Sequence, residues 1–132
     1  MIKTTKLIIL QRLIPHYRKG FFEKINEIYP NSRMLYGQEN SNDSLKNAVN
    51  LNKNIFIKVM NIYLDTSGKI FFSRMYSLLF RFRPEVVISV FNVGNLNIYL
   101  LFLLKHILNF KIILWSFGYD PDRGFDPKNK FA

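Results

Sequence analysis

The spacing of apolar positions along this chain changes several times, and each change marks an element. Residues 6–10 form a short apolar run that predicts a first strand. Over residues 17–29, Phe21, Phe22, Ile25 and Ile28 recur at helical spacing and Pro30 closes the segment, so a helix is expected there. Residues 33–36 predict a second strand stopping at Gly37, and the polar, Asn-rich stretch 38–54 reads as a surface loop with a short helical turn near 45–49. β-Branched and aromatic residues over 54–63 predict a third strand with a hairpin-like bend near Asn61. The apolar stretch 69–82, stopped by Arg83-Pro84, predicts a helix. Residues 85–90 predict a buried parallel strand, 95–108 a helix apolar on most faces, and 111–115 a further buried strand.

Strands alternating with helices are the signature of βαβ units. The fold expected is therefore a single α/β domain over residues 1–132, with a doubly wound, mostly parallel sheet. Such sheets bind ligands beyond the carboxyl ends of their strands, where the strand order reverses. With the order 3-2-1-4-5, the crevice opens between the first strand and the strand at 85–90, bordered by the loops at 11–18, 91–95 and 116–123.

The uncharged stretch 86–104 has the length of a membrane span, but Asn92-Val93-Gly94-Asn95 and Asn97 interrupt it where a span is most apolar, so strand, loop and helix are preferred. The N-terminal apolar run is too short for a signal peptide. With no Cys, disulfides and thiolate chemistry are excluded, and two His make an all-protein zinc site, or any metal site, unexpected. The net charge of +10 favours anionic partners such as a lipid headgroup surface, nucleic acid or a phosphorylated substrate, although a Lys- and Asn-rich composition alone can produce it. Nucleic acid is the least favoured, since the basic residues are scattered and no binding-module pattern is present.

Three stretches around the predicted crevice carry chemistry. Arg12, His16, Tyr17 and Arg18 lie before or at a helix N-terminus, a setting that favours anions, and Arg adds bidentate phosphate recognition. The structural alternative has His16 capping the helix or packing on the sheet, and Arg18 solvated. His106, within an apolar helix, reads as structural. In the second stretch, Asn92, Gly94 and Asn95, the glycine allows close backbone approach and Asn95 caps the next helix. No GxGxxG or Walker pattern supports nucleotide binding. In the third, Ser116, Gly118, Tyr119 and Asp120 precede Asp122; an aromatic beside a carboxylate suits a sugar, whereas Asp-Pro-Asp is also ordinary turn chemistry. The helix expected at 69–82 sets Ser73, Ser77 and Arg81 on one stripe and is otherwise apolar, which suits packing on the sheet, a membrane surface or a second domain.

The segments 11–22 (QRLIPHYRKGFF), 83–90 (RPEVVISV) and 111–120 (KIILWSFGYD), in this order, resemble the N-terminal half of GT-B glycosyltransferases of family four. The resemblance implies a Rossmann-like domain that holds the acceptor, facing a second domain that holds a nucleotide-sugar donor without a bound metal. It further implies surface polysaccharide synthesis at the cytoplasmic membrane face and a saccharide or lipid-linked acceptor. Related sequences often carry a His in the segment matching 115–118; here that stretch holds Phe117, so no catalytic His is carried over there. The donor domain with its paired Glu is absent from the 132 residues, and the helix start at Asp126-Pro127 comes close to the end of the sequence. The expectation is an acceptor-binding half that binds no cofactor by itself and is inactive without a donor domain: a truncated gene product, a fragment, or one half working with a separately encoded partner. The other reading is a stand-alone basic module docking on a membrane surface or a protein.

Overall fold

The computed structural model describes residues 4–41, 46–65, 70–90 and 94–115. In chain order its elements are β1 (Leu7–Leu10), α1 (His16–Ile28), β2 (Ser32–Tyr36), β3 (Phe56–Lys58), β4 (Asn61–Tyr63), β5 (Phe71–Ser73), α2 (Tyr76–Phe82), β6 (Val86–Val90), α3 (Asn97–Leu108) and β7 (Lys111–Trp115). Five strands form one parallel sheet in the order β3-β2-β1-β6-β7. This is the doubly wound α/β arrangement, with its order reversing between β1 and β6.

All four side chains of β1 are buried because this strand is central and covered on both faces. Its alternation divides the core in two. Leu7 and Ile9 pack with Ile14, Phe22 and Met34 on the α1 side. Ile8 and Leu10 pack with Met75, Leu79, Leu101 and Leu104 on the α2 and α3 side. The division follows from topology: β1 to β2 and β6 to β7 run in opposite directions across the sheet, so right-handed crossovers place α1 and α3 on opposite faces. Helices α2 and α3 end on left-handed residues, Arg83 (φ 54°) and Asn109 (φ 58°), each donating its N–H back into the last turn. Pro84 then prevents α2 from resuming.

Four expectations change. The helix expected at 69–82 is a strand followed by a two-turn helix: Phe71–Ser73 is β5, and only Tyr76–Phe82 is helical. Phe71 and Ser73 are buried and Phe72 partly exposed, an alternation hidden within a longer apolar run. The stripe of Ser73, Ser77 and Arg81 therefore does not exist as one helix face. The third strand is divided as well. Residues 56–58 stay in the parallel sheet, whereas β4 leaves it after a bend and pairs antiparallel with β5, Asn61 opposite Ser73 and Tyr63 opposite Phe71. Residues 46–49 are not helical. Lastly, β7 is an edge strand, with Ile113 about half exposed rather than buried. Among the described residues, no helix is long and apolar enough to cross a membrane, and residues 86–90 are strand.

Candidate functional site

A cleft of about 260 Å³ opens at the carboxyl ends of β1 and β6, where the strand order reverses. Leu10, Val90 and Phe71 give it apolar walls, and Gln11, Arg12, Arg18, Ser73, Asn95 and Asn97 line it with polar groups. The hairpin β4–β5 closes one side. It is tied to the loop after β6 by the Phe71 N–H donating to the Gly94 carbonyl (2.9 Å) and the Leu96 N–H donating to the Phe71 carbonyl (3.0 Å).

Arg12 is the first of two guanidinium groups at the cleft. Its Nη1 donates to the Tyr63 hydroxyl (3.2 Å) and its Cζ lies 5.7 Å from the centre of that ring. Arg18, in the first turn of α1, lies 5.7 Å from both the Tyr17 and the Trp115 ring centres and donates from Nη1 to Gln11 Oε1 at 3.5 Å. Cation–π contacts of this kind restrain a guanidinium while preserving its charge. Helix α1 begins after Pro15 with no side-chain cap and no acidic residue in its first turn. Gln11 is only 7% exposed, and its Nε2 has no hydrogen-bond partner.

Beneath the cleft runs a chain of buried amides and hydroxyls. The Ser73 hydroxyl donates to Asn61 Oδ1 (2.7 Å), and the Ser73 N–H donates to Asn97 Oδ1 (2.9 Å). Asn97 in turn donates its N–H to Asn95 Oδ1 (3.1 Å), and Asn95 Nδ2 donates to Ser89 Oγ (3.2 Å) and to the Val90 carbonyl (3.1 Å). At the other end, Asn61 Nδ2 donates to the Arg12 carbonyl (2.9 Å), and the Tyr63 hydroxyl donates to the Gln38 carbonyl (2.7 Å). Buried polar groups of this number are stable only because they satisfy one another. Their effect is to lock β4, β5, the start of α3 and the loop after β1 into one frame.

A second set of bonds supports that loop from outside. Asn47 Oδ1 accepts the Ile14 N–H (2.7 Å), Asn47 Nδ2 donates to the Gly37 carbonyl (2.8 Å), and the Ala48 N–H donates to the Ile14 carbonyl (2.7 Å). Glu39 Oε1 accepts the Asn47 N–H (2.8 Å). That bond, with one from its own backbone, holds the Glu39 carboxyl below the ordinary carboxylate range. Burial, and then the Glu39 charge, push the Tyr36 hydroxyl above its ordinary value.

Of the residues expected at the crevice, Arg12, Tyr17, Arg18 and Asn95 line the cleft. Asn95 is not the cap of α3 that was expected: the N-cap is Leu96, with no side-chain cap bond, and Asn95 Oδ1 instead accepts the N–H of Asn97 from one residue before it. Gly94 serves at the margin, where its carbonyl anchors the hairpin. His16 is exposed at the first position of α1 and is not among the lining residues; His106 is exposed on α3. Asn92, Ser116, Gly118, Tyr119 and Asp120 lie outside the described residues, as do Asp122 and Asp126-Pro127. The sequence reading missed Gln11, Ser73, Asn97 and the Asn61–Tyr63 support. Only Gln11 gave a local signal, as the first polar residue after an entirely apolar strand. Among the described residues, no group of acidic or His side chains could hold a metal ion. Comparison with protein-family models, with curated proteins and with solved structures finds no match for this chain.

Proposed function

We propose that this domain is the acceptor-binding half of a nucleotide-sugar-dependent glycosyltransferase acting in bacterial surface polysaccharide synthesis. The observation that carries the reading is the switch-point cleft, where the loop after β1 and the carboxyl end of β6 meet. Two of the segments that resemble family-four enzymes, 11–22 and 83–90, supply those two borders. Amides such as Asn95 and Asn97 suit hydroxyl-rich ligands, because each offers both a donor and an acceptor. Tyr17 adds an exposed aromatic face on which a sugar ring can stack. In the transfer itself, the acceptor hydroxyl oxygen bonds to the anomeric carbon, the glycosyl–phosphate bond breaks, the nucleoside diphosphate leaves with the electron pair, and the hydroxyl proton passes to the leaving diphosphate. This chain would bind and orient the acceptor, and the donor would occupy the second domain.

Titration of the chain with oligosaccharides, followed by NMR of the side-chain amides and of Tyr17, tests this reading. Saccharides should shift Asn95 and Asn97, and nucleotide sugars alone should leave those two amides in place. Equal shifts with nucleotide sugars, or none with any saccharide, would sink it.

A second reading, docking on an anionic membrane surface, is favoured by α3. Its outer face exposes Tyr99, Leu103 and Ile107 beside Lys105 and His106, on a chain of net charge +10. Co-sedimentation with anionic vesicles that Leu103→Glu abolishes and Arg18→Gln leaves intact would select it.

A further inference from the structure

We infer that the cleft contains an oxyanion subsite at the N-terminal end of α1, formed with Gln11, Arg12 and Arg18, that takes a phosphate group. The inference deepens the acceptor reading and rests on it for the rest of the ligand.

Gln11 is the first reason. It is more than nine-tenths buried, and its Nε2 has no partner, a condition that native structures seldom keep without cause. The orientation of the amide follows from its neighbour. Arg18 can only donate, so the Gln11 atom facing Arg18 Nη1 must be the oxygen, and the remaining donor is Nε2. An acceptor placed in the cleft would complete this group.

The helix is the second reason. α1 starts with no capping side chain and no acidic residue in its first turn, so the helix itself supplies no anion to the positive end of its dipole. Arg12 and Arg18 stand on either side in sequence and both line the cleft. Arg12 is restrained by Tyr63, and Arg18 by Tyr17 and Trp115. A restrained guanidinium grips phosphate at a smaller loss of side-chain entropy than a mobile one. Donors from four sources therefore converge on one end of the sheet, and a tetrahedral oxyanion has enough oxygens to accept from all of them.

The experiment uses the intact chain with inorganic phosphate as the probe, read by calorimetry and by thermal unfolding at constant ionic strength. Phosphate should raise the unfolding temperature where chloride does not, because a ligand that binds only the folded state stabilises it. Arg18→Gln should weaken phosphate binding by about tenfold, the scale of one charge-assisted contact. Gln11→Leu should weaken it severalfold at little cost to the unliganded protein, since it removes a buried donor without a partner and gives up only the long 3.5 Å bond from Arg18. That pairing separates a ligand role from a structural one, and it stands even if Arg18→Gln does not fold. No phosphate binding, or equal binding by wild type and Gln11→Leu, would overturn the subsite.

Two sources of the phosphate are distinguished by competition. Displacement of inorganic phosphate by a soluble hexose phosphate supports a soluble ester. Phosphate-sensitive binding to phosphatidic acid vesicles supports a lipid headgroup. Phosphate binding with no saccharide binding would keep the subsite and remove the acceptor reading. Saccharide binding without phosphate binding would do the reverse.

Discussion

Gly37→Ala offers the sharpest test of the frame beneath the cleft. A Cβ on Gly37 would overlap Asn61 Cγ, Nδ2 and Oδ1, so the substitution must expel that side chain or move the strand carrying it. Asn61 is 2% exposed and cannot turn into solvent in place. Its expulsion breaks the bond from Ser73 and the bond to the Arg12 carbonyl. Each bond contributes about 1 kcal/mol net, and stranding the buried Ser73 hydroxyl adds about 1–3 kcal/mol, so the loss should be about 3–5 kcal/mol. Set against a domain stability of about 5–15 kcal/mol, that is a large fraction. Urea unfolding of Gly37→Ala, Asn61→Ala and the double variant measures it, with the slope checked for constancy. Asn61→Ala removes the three atoms in conflict, so adding Gly37→Ala to it should cost less than about 1 kcal/mol, a coupling of at least about 2 kcal/mol. Additivity of the two substitutions to within about 0.5 kcal/mol would refute the collision as the cause.

Two further outcomes follow from the same geometry. Because the Glu39 carboxyl is held below its ordinary value of 4.5 in the folded state, it contributes stability that is present above that value and lost as pH falls through the lower folded value. Glu39→Gln should therefore lower stability at neutral pH and flatten the acid limb of the stability–pH profile, as followed by circular dichroism; an unchanged acid limb would remove Glu39 from the account. In the core, Leu101→Ala deletes a fully buried side chain between α3 and the sheet and should cost about 2–5 kcal/mol, whereas Leu103→Ala, on the exposed face of the same helix, should stay within about 0.5 kcal/mol by thermal unfolding.

The central sheet was legible because burial on both faces writes a strand as an unbroken apolar run. Residues 7–10 have that form, 86–90 have it apart from Ser89, and alternation with helices ordered them correctly around the switch point. The same property concealed the hairpin. Ile70, Phe71 and Phe72 continue into Met75, Leu78, Leu79 and Phe80, and an apolar run that is both strand and helix has no single period to read. The strand character of Phe71–Ser73 is fixed by partners distant in sequence, Asn61 to Tyr63 on one side and Gly94 on the other. For the site, Arg12, Tyr17 and Arg18 could be read because topology alone places the loop after β1 at the crevice. Ser73 and Asn97 could not, because their position depends on the hairpin.

The hairpin has a further consequence for how the cleft can be probed. An open doubly wound sheet leaves a crevice at its switch point; here β4 and β5 wall that crevice, and Asn61, Ser73, Asn97 and Asn95 bond the wall to both sides. Fold and site thus share hydrogen bonds, and removing any of these side chains would lower stability and binding together. Such a loss could not separate a ligand contact from a support. Arg18 is different. Unlike the amides it is no link in the buried chain: its contacts to Tyr17 and Trp115 are ring contacts worth about 0.5–1 kcal/mol each at an exposed site, and its bond to Gln11 is long at 3.5 Å. Arg18→Gln should therefore change ligand affinity by more than it changes folding free energy. Asn61→Ala should show the opposite ratio, and equal ratios for the two would mean that cleft and frame are one structural unit with no dedicated binding group.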